Sequence, residues 1–191
     1  AVTAASASRV LGANDRIRVG MVGTGGRGSY DLEEIVKLEG TNVTVAGICD
    51  VYRPNREKAV ARAEKVFGTK PRATTDYQEM LGWSDIDAVV IATPDFGHPY
   101  ILKAAVEAGK DAYCEKPMAV ELDPARAAYL AAKRGDRIVQ IGTQRRSDGK
   151  HMAAAKLAQS GAIGKITRIE IAYNVQQPRW RRDASKINPA D

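Results

Sequence analysis

Two rhythms of apolar residues alternate along the chain. Short candidate strands, several of them almost continuously apolar and β-branched, occupy Arg18–Gly23, Val43–Cys49, the stretch near Pro71–Thr74, Asp87–Ala92, Asp111–Cys114 and Arg137–Gly142. Between them, apolar residues recur at helical spacing over Gly28–Leu38, Pro54–Phe67, Tyr77–Gly82, Pro99–Ala108, Pro124–Arg134 and Gly149–Ser160. Strands that are apolar throughout are those covered on both faces, and strands that alternate with helices are joined by parallel crossovers. The pattern predicts an α/β fold: a doubly wound, mostly parallel sheet with helices on both sides.

The punctuation agrees with this pattern. Asp76 and Asp123 are expected N-caps, Pro54, Pro99 and Pro124 stand in first turns, and Gly68, Gly109, Gly135 and Gly161 are placed to end helices. From Lys165 to Val175 the rhythm changes, with Ile166, Arg168, Glu170 and Ala172 on one side and Thr167, Ile169, Ile171 and Tyr173 on the other. Alternation of that kind predicts a strand of an open, mainly antiparallel sheet with one wetter face, the start of a second, α+β domain.

Composition narrows the classes. At 191 residues and 44% hydrophobic content there is room for one ordinary domain with a core and a short extension. The net charge of +6 is scattered, apart from Arg145-Arg146 and the Arg179–Arg182 patch around Trp180. That balance suits a polyanionic small molecule and is too diffuse to argue for nucleic acid. Cys49 and Cys114 each close an apolar run and read as core residues, no metal site is expected, and no run is long enough to span a bilayer. The opening Ala1–Ser8 holds Ala5-Ser6-Ala7, the form of a signal-peptidase site, and reads either as the tail of an export signal or as a linker.

The strongest local signal is Gly23-Thr24-Gly25-Gly26-Arg27-Gly28, which follows a predicted strand and opens a predicted helix, the context a G-x-G-x-x-G fingerprint needs. Gly23 permits the tight turn, Gly25 lets a pyrophosphate approach the backbone, and Gly28 lets helix and strand pack closely, while the helix N-terminus attracts the anion. Asp50 ends the second strand 22 residues after Gly28, where an acid would accept from the adenosine ribose hydroxyls and repel a 2′-phosphate. NAD is therefore favoured; Arg53, able to swing onto a 2′-phosphate, keeps NADP as the second cofactor to test. The fold is thus expected to be of the Rossmann type, with residues 1–14 as leader, 15–145 as the NAD(P)-binding domain and 146–191 as the beginning of the C-terminal domain.

Two further strand ends reach the same crevice. The fourth ends in Thr93-Pro94-Asp95-Phe96-Gly97-His98, whose backbone, Thr93, Pro94 and His98 are expected to line the cofactor; His98 could carry a proton but reads first as a hydrogen-bonded structural residue. The fifth ends in Glu115-Lys116-Pro117. A lysine there can polarise a carbonyl or hydrogen-bond a hydroxyl during hydride transfer.

Taken together, Gly23–Gly28, Asp50, Thr93-Pro94-Asp95 with His98, and above all Glu115-Lys116-Pro117 resemble the Gfo/Idh/MocA family of glucose-fructose oxidoreductases and inositol dehydrogenases. The resemblance runs from Ile17 to Val175 and includes Gly142-Thr143-Gln144-Arg145-Arg146, which places Gln144 among the expected cofactor contacts. Asp95 stands where many members have Asn, and Arg27-Gly28 is similar to an exported branch that carries a twin-arginine signal, implying a periplasmic or exported protein, with a cytoplasmic one as the alternative. The resemblance implies reversible hydride transfer between NAD(P) and a hydroxyl carbon of a sugar or cyclitol, with Lys116 on the reacting hydroxyl, Glu115 supporting it, and both also among the cofactor contacts. The family's acid/base His lies in its C-terminal domain, so neither His98 nor His151 is given that role. The expected partners are a sugar or polyol and further copies of the chain, joined through the C-terminal-domain sheet. Two other readings are an NAD-dependent glycosidase that oxidises the sugar transiently, similar to N-acetylgalactosaminidases of the family, and a non-catalytic nucleotide-binding module.

Overall fold

The computed structural model describes residues 16–172. The leader at 1–14 and the basic patch at Arg179–Arg182 lie outside the described residues. The elements in order are β1 (Ile17–Val22), α1 (Gly26–Val36), β2 (Val43–Cys49), α2 (Arg53–Phe67), β3 (Arg72–Thr74), α3 (Tyr77–Leu81), β4 (Ala88–Ile91), α4 (His98–Glu107), β5 (Asp111–Glu115), α5 (Leu122–Arg134), β6 (Val139–Gly142) and α6 (Gly149–Gln159). A 3-10 turn, Asp95–Gly97, leads into α4. The six strands form one parallel sheet in the order β3-β2-β1-β4-β5-β6. This is the Rossmann arrangement. The order reverses between β1 and β4, and at such a reversal the loops beyond the strands part to leave a ligand crevice.

Strand alternation explains why both faces are covered. Along β1, Val19 and Met21 enter a layer with Leu32 and Val36 of α1 and Ala59, Val60 and Ala63 of α2. Val22 points the other way, into a layer built from Met80, Trp83, Ile101, Leu102, Ala105, Ala128 and Ala131. Cys49 and Cys114 are buried in that second layer, where burial pushes each thiol up to about 12 and leaves it unreactive at neutral pH.

Element boundaries differ from expectation where capping decides them. Asp76 caps α3, accepting from the Gln78 N–H at 2.8 Å. Asp123 does not cap α5: that helix begins at Leu122, and Asp123 stands in its first turn, where a carboxylate still favours the helix dipole. Helix α1 begins at Gly26 instead of Gly28, so Gly25 is its N-cap. The strand expected from Lys165 is absent over residues 165–172, all exposed, because no neighbouring strand among the described residues supplies a ladder.

The chain divides into two compact units after Gly142. The second carries α6, capped by Asp148, whose carboxylate accepts from the Lys150 N–H at 2.9 Å. Among the described residues no helix is long and apolar enough to cross a membrane.

Candidate functional site

The glycine loop after β1 is shaped by contacts at two of its four glycines and left open at the other two. Gly23 has φ +85°, a left-handed conformation that a side chain resists, and a Cβ there would lie 2.8 Å from the backbone of Ala92 and Thr93 at the end of β4. A Cβ on Gly28 would stand 2.0 Å from the Gly23 carbonyl oxygen, so α1 can start this close to the turn only without one. At Gly25 the sole neighbour of an added Cβ would be Asn55 Nδ2 at 3.4 Å, and at Gly26 nothing lies within 4 Å. The α1 N-terminus has no side-chain cap. Its first N–H groups point out of the helix with no carbonyl of the helix to receive them, a setting that fits a pyrophosphate.

Asp50 connects the end of β2 to this loop. Its Oδ2 accepts from the Thr24 N–H at 2.7 Å and from Thr24 Oγ1 at 3.0 Å, and its Oδ1 accepts from the Tyr52 N–H at 2.9 Å. Three of the roughly four acceptor positions of a carboxylate are filled, leaving one on Oδ1 for a ribose hydroxyl. Arg56 donates to the Asp50 carbonyl oxygen at 2.6 Å and Arg53 opens α2. Helix α2 has Tyr52 as its N-cap, so Asp50 does not cap it.

At the end of β5, Glu115 is 2% exposed. Its Oε1 accepts from Arg27 Nε at 2.9 Å and from the Tyr113 hydroxyl at 3.2 Å, and its Oε2 accepts from the Lys116 N–H at 3.1 Å. Burial and the Glu115 charge raise the Tyr113 hydroxyl above its ordinary range. Arg27 Nη2 also lies 3.0 Å from Asp31 Oδ1, one helical turn along, and the guanidinium stacks over Tyr30 at 4.7 Å. For Arg27, burial works against the charge, but the hydrogen bond it donates to Glu115 and the charges of Asp31 and Glu115 outweigh it and hold the guanidinium more firmly protonated than usual. Asp31 goes the opposite way. Burial raises its carboxyl from 3.8 to about 6, with Arg27 opposing and the charges of Glu115 and Glu34 adding to the rise.

Lys116 is exposed beside this cluster, followed by a cis peptide bond to Pro117. His98, 1% exposed, has Nδ1 2.7 Å from the Pro117 carbonyl oxygen and Nε2 2.9 Å from that of Thr93. Whichever nitrogen bears the proton donates to a carbonyl, and the ring stands between the β4 end and the Lys116-Pro117 turn. Thr93 Oγ1 is buried without a partner, Pro94 is exposed, and Gln144 is exposed in the second unit. Asp31 and Tyr113 were not foreseen, although the signals exist: Asp31 is four residues from Arg27 on one helix face, and Tyr113 is two from Glu115 on one strand face. Among the described residues no group of three or more His, Cys, Asp or Glu is placed to hold a metal.

Residues 17–143 match a family described as an oxidoreductase family with an NAD-binding Rossmann fold. The chain belongs to this Gfo/Idh/MocA family. Inositol 2-dehydrogenase of Rhodococcus erythropolis is 31% identical over 164 residues, covering 84% of this chain and 45% of the relative. A glycosyl hydrolase family 109 protein of Shewanella baltica is 29% identical over 171 residues, covering 87% of this chain and 37% of that one. Among solved structures, scyllo-inositol dehydrogenase from Lactobacillus casei with bound NAD(H) and scyllo-inositol superposes with a TM-score of 0.70 at 27% identity, over 80% of this chain and 43% of that one. Myo-inositol 2-dehydrogenase from Lactobacillus plantarum gives 0.71 at 26% identity, over 79% and 43%. The chain therefore spans less than half the length of these Gfo/Idh/MocA relatives.

Proposed function

We propose that this chain is the NAD-binding half of an oxidoreductase that moves a hydride between the nicotinamide and a hydroxyl carbon of a cyclitol or sugar. The observation that carries the reading is the convergence of three strand ends on one sheet edge: the open Gly25 cradle after β1, Asp50 after β2 and Lys116 after β5. The relatives named as inositol dehydrogenases support a cyclitol as the substrate class. The nicotinamide, when bound, accepts or returns the hydride.

The chain's own residues do the holding and the orienting. The α1 N-terminus and the glycine loop receive the diphosphate, and the free acceptor position on Asp50 takes a ribose hydroxyl. Lys116 donates to the reacting oxygen and stabilises the charge that develops there, while buried Glu115 fixes the backbone of Lys116 through its N–H. His98 is a positioning residue that sets Pro117 against the end of β4.

The test is NADH formation by the product of the full reading frame with myo- or scyllo-inositol. The wild type should form NADH in proportion to substrate, and Lys116→Met should lower kcat roughly a hundredfold or more with NAD affinity little changed. The family 109 relative motivates one rival, an NAD-dependent glycosidase, which would cleave a glycoside with no net NADH. Cleavage of that kind, or an unchanged kcat in Lys116→Met, would refute the proposed reaction.

A further inference from the structure

Arg27 occupies an unusual position for a residue of a glycine loop. It stands two residues after Gly25 in the first turn of α1, yet its guanidinium reaches the carboxylate at the end of β5. The sheet order puts β4 between β1 and β5, so this side chain crosses the β4 end and spans the crevice. Both Arg27 Nε, at 2.9 Å, and Nη2, at 2.8 Å, meet Glu115 Oε1. Glu115 in turn accepts from the Lys116 N–H on its other oxygen.

The surroundings are built around this link. Tyr113 fills out the coordination of Glu115 Oε1, and a Cβ on Gly142 would stand 2.4 Å from the Tyr113 hydroxyl and 2.8 Å from Oε1. Glu115, 2% exposed, is thus packed between Tyr113, Gly142 and Arg27. Two buried carboxylates, Asp31 and Glu115, share this one guanidinium, and Asp31 Oδ2 has no partner at all. The rise of Asp31 to about 6 is what such sharing produces when burial outweighs a single cation.

We propose that Arg27 is a positioning residue that ties the diphosphate loop to the Glu115-Lys116-Pro117 turn, so that nucleotide binding at the loop and placement of Lys116 at the turn are one coupled event. This rests on the dinucleotide reading above. It differs from a role for Arg27 as a direct diphosphate ligand, because such a ligand would matter equally for any nucleotide carrying a diphosphate. A strut matters only for the part of the dinucleotide that reaches the turn.

Affinities for NAD and for ADP, measured by calorimetry in wild type, Arg27→Met, Glu115→Gln and the double variant, separate the two. Arg27→Met should weaken NAD at least tenfold and ADP less than threefold. Glu115→Gln should reproduce that selective loss, and the double variant should add little to either, as expected of residues acting as one unit. Equal losses for NAD and ADP, or single effects that multiply in the double variant, would overturn the inference. Amide hydrogen exchange reads the link without nucleotide. Arg27→Met should speed exchange at Lys116 at least tenfold while Thr24, held by Asp50, changes less than twofold; if Arg27→Met does not fold, Glu115→Gln should show the same contrast. Unchanged protection at Lys116 would overturn the inference even if NAD binds, whereas a wild type that binds neither NAD nor ADP would overturn the dinucleotide reading itself.

Discussion

Replacing Asp31 with Asn removes a carboxyl that burial makes hard to ionise while keeping the side chain's shape. Asp31 is 7% exposed, and its carboxyl rises from 3.8 to about 6, first through burial and then through the charges of Glu115 and Glu34, against the pull of Arg27. A carboxyl that is harder to ionise in the folded state than in the unfolded one contributes stability that is fully present below pH 3.8 and is lost as pH rises through 6. At about 1.4 kcal/mol per pH unit the whole effect is about 3 kcal/mol, of which about 2 kcal/mol falls between pH 4.5 and 7.5. Asn cannot titrate, so Asp31→Asn should lose this dependence. A constant cost for the stranded amide hydrogen leaves the slope untouched. Urea unfolding followed by circular dichroism across that window should show the variant gaining about 2 kcal/mol on the wild type as pH rises. A difference that stays flat with pH, or that shrinks, would refute the claim that burial defeats Arg27 at this site.

Gly28→Ala should destabilise the domain by about 3 kcal/mol in thermal or urea unfolding, since its Cβ would stand 2.0 Å from the Gly23 carbonyl oxygen. Gly26→Ala, with nothing within 4 Å, should cost far less, and similar losses at both positions would contradict the close helix approach. Asp50→Ala should weaken NAD more than NADP by about 1 to 3 kcal/mol, read by calorimetry, as a charged acceptor is lost for one and a repulsion removed for the other. A wild type that prefers NADP would make Arg53 the deciding residue.

The sheet was legible because its cause is local. Runs such as Val43–Cys49 and Asp87–Ala92 are apolar on both faces, and helices of matching length separate them, which leaves the parallel doubly wound sheet as the arrangement that buries both faces. The glycine loop was legible because its spacing is local and Gly28 answers to the Gly23 carbonyl five residues back, whereas the backbone of Ala92 and Thr93 that crowds Gly23 is brought there by the sheet. Helix starts were less so, since Gly25 and Glu121 cap without a side-chain bond and leave no signal of their own. The reach of Arg27 to Glu115, across 88 residues of sequence, depends on sheet order and on the space left by Gly142, and no spacing rule carries either. The alternation after Lys165 marks a strand by pattern alone, and over residues 165–172 it forms none without a neighbour.

Calorimetric titration of the purified chain with NAD, in wild type and Gly25→Val, addresses the dinucleotide site most directly. Gly25 is the informative position because an added Cβ meets only Asn55 Nδ2, at 3.4 Å, so the fold should tolerate a side chain that the pyrophosphate should not. Saturable binding by the wild type is expected, with at least a tenfold weaker affinity in a Gly25→Val protein whose circular dichroism is unchanged. Equal affinity in the two proteins, or no binding by the wild type, would contradict the dinucleotide reading.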